Sequence, residues 1–99
     1  MNISWTREAL EHLIEIEEFT AKGSPARAAT FVDELVDHAE IAVADNPQIG
    51  RMVPEIARPE IRELIYRKYR IVYRVTENSV EILTVFEGHR LLRSDEVSS

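Results

Sequence analysis

Apolar residues recur at helical spacing as far as Asp45 and at strand spacing from Ile61 onward, with a proline-rich break between the two regimes. A helix buries a stripe of period near 3.6 residues and a strand buries every second residue, so a chain written in both must lay helices against a sheet. In the first regime Ala9, Leu10, Leu13, Ile14 and Ile16 form an apolar stripe, and Glu8, Glu11, Glu15 and Glu18 form a solvated one opposite. Thr6 supplies an N-cap hydroxyl, which predicts a helix from Arg7 to about Lys22-Gly23. Ser24-Pro25 starts a second helix, because serine caps and proline loses nothing at the first helical position. Ala28, Phe31, Val32, Leu35, Ala39 and Ala42 give that helix its buried face as far as about Asp45, with Asp33, Asp37 and Glu40 in water. The pair reads as an antiparallel helical hairpin.

Ahead of it, Asn2 to Trp5 reads as a short strand, with the Trp5 indole expected in the core and its N–H on a backbone acceptor. Pro47, Gly50, Pro54 and Pro59 mark residues 46–60 as a surface loop. Ile61 to Tyr66, Tyr69 to Val75 and Val80 to Phe86 then predict an antiparallel meander with a turn at Glu77-Asn78-Ser79. In the middle strand Tyr69, Ile71, Tyr73 and Val75 share one face, and Arg70, Val72 and Arg74 share the other. The fold class expected is α+β, in the order β-α-α-β-β-β, with the two-helix hairpin packed on a small antiparallel sheet.

Ninety-nine residues suffice for one two-layer domain, residues 1–99, with a polar tail at 94–99 expected to fray. The chain has no cysteine, so neither a disulfide framework nor a thiolate metal site is expected. No apolar run is long enough for a signal peptide or a membrane span, which points to the cytoplasm and to no membrane partner. His12 and His38 lack ligand-spaced partners, and neither a metal nor another cofactor is expected. Residues 1–60 carry five Lys/Arg against twelve Asp/Glu and residues 61–99 seven against six, so a net charge of −6 confines any nucleic-acid contact to a local patch.

Trp5, Ala9 and Leu10, then Pro47, Gly50, Arg51, Pro54 and Glu55, the run YRIVYRV at 69–75, and Gly88-His89-Arg90 together make the chain resemble the RelE/ParE superfamily of bacterial toxin–antitoxin modules. The resemblance spans nearly the whole chain, and YRIVYRV is its most specific part. It implies a small toxin of a type II module, neutralised by a cognate antitoxin that wraps the helices and sheet in a toxin–antitoxin hetero-oligomer. ParE-like members poison DNA gyrase by binding. RelE- or YoeB-like members are ribosome-dependent endoribonucleases that cut messenger RNA.

If this chain followed the nuclease pattern, the resemblance would give Arg70 the scissile phosphate, Glu55 the role of general base, and His89 or Arg90 the leaving group. The plain alternative for Arg70 is a half-exposed strand arginine pairing with Glu63 or Glu81. Departures from that pattern favour the ParE side. Ile61 and Glu63 stand where the nuclease carries lysines, no tyrosine follows Arg90, and the chain lacks the basic excess needed in a ribosomal site. Arg51 is read as a loop anchor on backbone carbonyls, or as part of the target surface. Arg62, Arg67, Lys68, Arg74, Arg90 and Arg93 are expected to form a basic patch near one end of the sheet that meets the target or an acidic antitoxin segment. A third reading is a degenerate toxin kept as a binding module.

Overall fold

In the computed structural model, which describes residues 2–93, 95 and 97, strand β1 (Asn2–Trp5) passes directly into helix α1 (Arg7–Gly23). Thr6 makes the join: its hydroxyl accepts the Ala9 N–H at 3.1 Å and donates to the Leu83 carbonyl at 2.9 Å, so one side chain caps the helix and ties it to the sheet. Ser24 ends α1 and begins helix α2 (Pro25–Asp45). Its N–H donates to the Thr20 carbonyl at 2.9 Å while its hydroxyl accepts from Arg27 N–H at 3.1 Å. A single residue between the helices leaves no room except for a tight hairpin.

The sheet holds β2 (Arg51–Met52), β3 (Ile61–Tyr66), β4 (Tyr69–Val75) and β5 (Ser79–Glu87) in the order β1-β5-β4-β3-β2. Two details correct the sequence expectation. The loop contains the two-residue strand β2, and the sheet is mixed, because β1 runs parallel to β5 while the other pairs are antiparallel. The parallel course delivers Trp5 straight into α1, above the strand that α1 packs on.

On the helix side, Ala9, Leu13 and Ile16 of α1 and Phe31, Leu35, Ala39 and Val43 of α2 close over Tyr69, Ile71, Tyr73, Ile82 and Val85. Leu10 and Ile14 are exposed, contrary to expectation: they lie roughly 90° and 130° round the helix from the buried row, and α1 needs only that row against the sheet. In α2 the buried position falls to Val43, with Val32 and Ala42 half-buried. Trp5 donates its indole N–H to the Glu40 carboxylate at 2.8 Å, which replaces the expected backbone acceptor and takes Glu40 out of free solvent.

Between β4 and β5 the register slips, with Val72 opposite Thr84 and Tyr73 opposite Ile82, leaving Leu83 as the extra residue. The slip changes the parity of the strand. Val80 and Ile82 face the helices before it and Val85 after it, so Leu83 and Phe86 turn to the reverse face. There they join Val53, Ile61, Val72, Leu92 and Val97 in a second, smaller core, roofed by the loop after β2 and by the C-terminal segment. The expected fraying of 94–99 falls largely outside the described residues; of the two that are described, Val97 is buried and its carbonyl accepts from Arg74 Nη2 at 2.5 Å.

Candidate functional site

The alternation of β4 points Arg70 away from the helices, across from Ile65 and Phe86. Because the reverse face is roofed, the arginine is only 4 % exposed, which corrects the half-exposed position expected of it. A buried guanidinium must have its donors met. Nε donates to Glu63 Oε1 at 2.5 Å, Nη1 to Glu55 Oε2 at 2.8 Å, and Nη2 to Glu55 Oε1 at 3.0 Å. Nη1 also donates to the Arg90 carbonyl at 2.8 Å. The second oxygen of the buried Glu63 accepts from Arg51 Nε at 2.5 Å, and Glu55 Oε2 accepts the Leu92 N–H at 2.8 Å. The result is a line of alternating charges, Arg51, Glu63, Arg70, Glu55, that pins β2, the following loop and the C-terminal segment to the centre of the sheet.

The Arg70 hydrogen bond holds the Glu55 carboxyl at about 2, well below its ordinary 4.5, against the opposing effect of burial; the Leu92 N–H lowers it further. Arg70 is in turn held charged, first by Glu55 and then by Glu63. A carboxylate already accepting two guanidinium N–H groups and one amide N–H is a weak proton acceptor near neutrality. Glu81, the other partner considered for Arg70, lies 3.5 Å from Arg74 instead. His89 is 82 % exposed, with Nδ1 3.5 Å from the Glu87 carboxylate. Arg90 lends Arg70 its carbonyl and lays its guanidinium 4.6 Å from the centre of the Phe86 ring. Of the four residues considered for catalysis, the structure therefore brings together Glu55, Arg70 and the Arg90 backbone, while the His89 ring faces solvent.

The basic patch does not form one surface. Arg62 donates to the Gly50 carbonyl at 2.9 Å, in a loop also held by the Tyr73 hydroxyl, which donates to the Pro47 carbonyl at 2.8 Å and accepts the Gly50 N–H at 2.9 Å. Gly50 is required there, since a Cβ would come within 2.5 Å of the Glu63 carbonyl and 2.6 Å of the Tyr73 hydroxyl. The loop anchor on a backbone carbonyl is thus Arg62, whereas Arg51 holds a carboxylate. Arg74 sits at the far end of β4 from Arg67 and Lys68, about 20 Å away at strand rise. Arg93 is exposed, 3.5 Å from the Asp95 carboxylate. Local carboxylates and carbonyls claim Arg62, Arg74 and Arg93, while Arg67, Lys68 and Arg90 rest against aromatic rings.

Arg67 and Lys68 form the β3–β4 turn, where Arg67 adopts φ 56°. They stand beside Lys22 and Arg27, which flank the turn of the helical hairpin. Neither Lys22 nor Arg27 stood out in the sequence, because forty or more positions separate them from the turn they meet.

Over residues 3–92 the sequence matches the family described as ParE toxin of type II toxin-antitoxin system, parDE. The chain belongs to the ParE toxin family. It is accordingly the toxin component of a type II module, and membership of the family implies an antitoxin as partner. No curated protein sequence matches the chain. Among solved structures it is similar to one described as the chromosomal ParDE TA system from P. aeruginosa, at TM-score 0.74 and 23 % identity, covering 88 % of this chain and 95 % of that one. At that identity the likeness establishes the shared fold, and it matches the helical hairpin and five-stranded sheet of this ParE toxin. Among the described residues, no helix is long and apolar enough to cross a membrane.

Proposed function

We propose that this ParE toxin acts in the cytoplasm as a single domain that arrests growth by binding DNA gyrase, stabilising a cleaved gyrase–DNA complex without covalent chemistry of its own. One observation carries this reading. Arg70, the residue a nuclease would turn toward the scissile phosphate, is 4 % exposed and committed to Glu63, Glu55 and the Arg90 carbonyl. Stabilising charge on a phosphoryl group needs donors aimed at the place where that charge develops, and these donors aim inward. With its carboxyl held at about 2, Glu55 is a poor match for a general base at neutral pH.

The alternative, ribosome-dependent cleavage of messenger RNA, draws on the direct contact of Glu55 with Arg70. It requires the C-terminal segment to lift and the ion pairs to open on the ribosome. Inducing the chain in cells without its antitoxin separates the two. Accumulating cleaved DNA and a DNA-damage response support gyrase; immediate arrest of translation with cuts at codon ends, abolished by Glu55→Gln, overturns it. A chain that arrests nothing is a degenerate toxin retained as a binding module.

A further inference from the structure

At the tip of the helical hairpin an open groove of about 790 Å³ lies between the α1–α2 turn and the β3–β4 turn. Phe19, Phe31 and Tyr69 form its floor, and Phe19 is 58 % exposed, an unusual position for a phenylalanine with a core so near. Lys22, Arg27, Arg67 and Lys68 stand round it, and among the described residues no carboxylate lines it, in a chain that carries 18 Asp/Glu against 12 Lys/Arg. Arg27 is already engaged, 2.5 Å from Glu34. Among the described residues no carboxylate reaches Lys22, Arg67 or Lys68. Lys68 Nζ instead rests 5.2 Å from the centre of the Phe19 ring and 5.7 Å from that of Tyr69, and the Arg67 guanidinium 5.9 Å from that of Tyr66. Phe19 and Tyr69 also line a second depression, where Glu15 and Glu87 stand with Arg90, so the purely cationic lining ends at those two rings.

Given an antitoxin partner, as the toxin reading requires, we propose that this groove receives a short acidic segment of the antitoxin: one bulky apolar side chain seated on Phe19, flanked by carboxylates that meet Lys22, Arg67 and Lys68. Charge complementarity selects that occupant. A net charge of −6 disfavours an acidic chain over the surface as a whole, so a carboxylate-free cationic rim favours both the place where such a segment docks and the rate at which it arrives. A nucleic acid fits less well, because Phe19 is the one exposed ring in the groove lining, with Phe31 and Tyr69 buried, and the net charge of −6 disfavours phosphate.

The test uses the full chain and two probes: the small protein encoded by the adjoining reading frame, and overlapping 15-residue peptides from its sequence. Affinity is measured by calorimetry at low and moderate salt. The proposal expects one peptide with clustered Asp/Glu round a large apolar residue to compete with the intact partner. Arg67→Glu with Lys68→Glu should weaken the intact partner at least tenfold and flatten its salt dependence, and Phe19→Ala should weaken it several-fold with the salt dependence retained. Arg58→Glu, a single charge reversal on the β2–β3 loop, should alter affinity less than threefold, against a larger loss for Arg67→Glu alone. Circular dichroism confirms that each variant is folded, and Arg67→Gln with Lys68→Gln gives an intermediate loss if charge is the cause. Equal binding to wild type and to the double charge reversal overturns the groove assignment while leaving the toxin reading intact. Failure of the partner to bind even the wild type overturns both. Binding of a single-stranded oligonucleotide that is lost in the double variant, with partner affinity unchanged, reassigns the groove to nucleic acid.

Discussion

The two faces of the sheet are stabilised by different means, although alternate residues of the same strand build both. Toward the helices, Tyr69, Ile71 and Tyr73 meet a broad apolar layer in which shape and volume decide the fit. Toward the reverse side, Arg70 and Val72 meet a thin roof made of a loop and the chain end, and the middle of that contact is an ion-pair line. Apolar contact is non-directional, so where the covering layer is thin it tolerates small displacements. A buried guanidinium with four hydrogen bonds does not, so the reverse face locates the C-terminal segment more sharply than seven small apolar contacts could alone. Polar satisfaction stands in for bulk where the covering layer is thin.

The largest effect should come from Arg70→Ala, which leaves the buried Glu63 carboxylate with only the exposed Arg51 and removes the guanidinium from Glu55, and should lower stability by about 3–5 kcal/mol in urea unfolding. Arg70→Met combined with Glu63→Leu should restore most of that loss. If the single variant loses under about 1 kcal/mol, the contrast between the faces fails. Leu35→Ala, a cavity on the helix side, should cost about 2–5 kcal/mol and leave the C-terminal segment as protected from proteolysis as in the wild type. Release of that segment would show that the two faces are not separable. Tyr73→Phe should cost about 1–3 kcal/mol, because it leaves the buried Gly50 N–H without its acceptor. Its signature should be faster hydrogen exchange across 46–52.

Acid sharpens the comparison further. Glu55 has its folded-state pKa depressed from 4.5 to about 2, so its stabilising contribution is complete above about 4.5 and is lost as the pH falls toward 2. Glu55→Gln should flatten that acid limb, and the C-terminal segment should loosen before the helices do, as followed by exchange of the Leu92 amide. Least affected should be Arg51→Ala, which removes the exposed end of the line, with its side chain 63 % accessible, and should cost under about 1 kcal/mol.

Local chemistry was readable directly. The caps at Thr6 and Ser24, the proline after Ser24 and the alternation of 69–75 depend on neighbours within four positions, so the helices begin and the strand faces divide where a reading of residues alone places them. The family resemblance was carried by the same short runs. Less legible was anything that depended on what lies opposite. Leu10 and Ile14 look as buried as Leu13 until the helix meets a surface that takes only one row. The string EILTVFE gives no sign that Leu83 slips the register and sends Phe86 to the reverse face, because a bulge interrupts a period without changing composition.

Arg70 is the clearest case of that limit. Its strand face and its partner Glu63 could be read from alternation, but its burial depends on Glu55, Arg90, Leu92 and Val97 arriving from elsewhere in the chain to roof it. The cationic groove likewise exists only because two turns, one near Gly23 and one at Arg67-Lys68, end beside each other. Sequence alone determined the elements, their caps and the family, since those follow from torsions and spacings within a few residues. Tertiary structure decided which charges are spent inside and which remain available to a partner, because a charge is neutralised by whatever stands within a few ångströms of it, however distant in the chain.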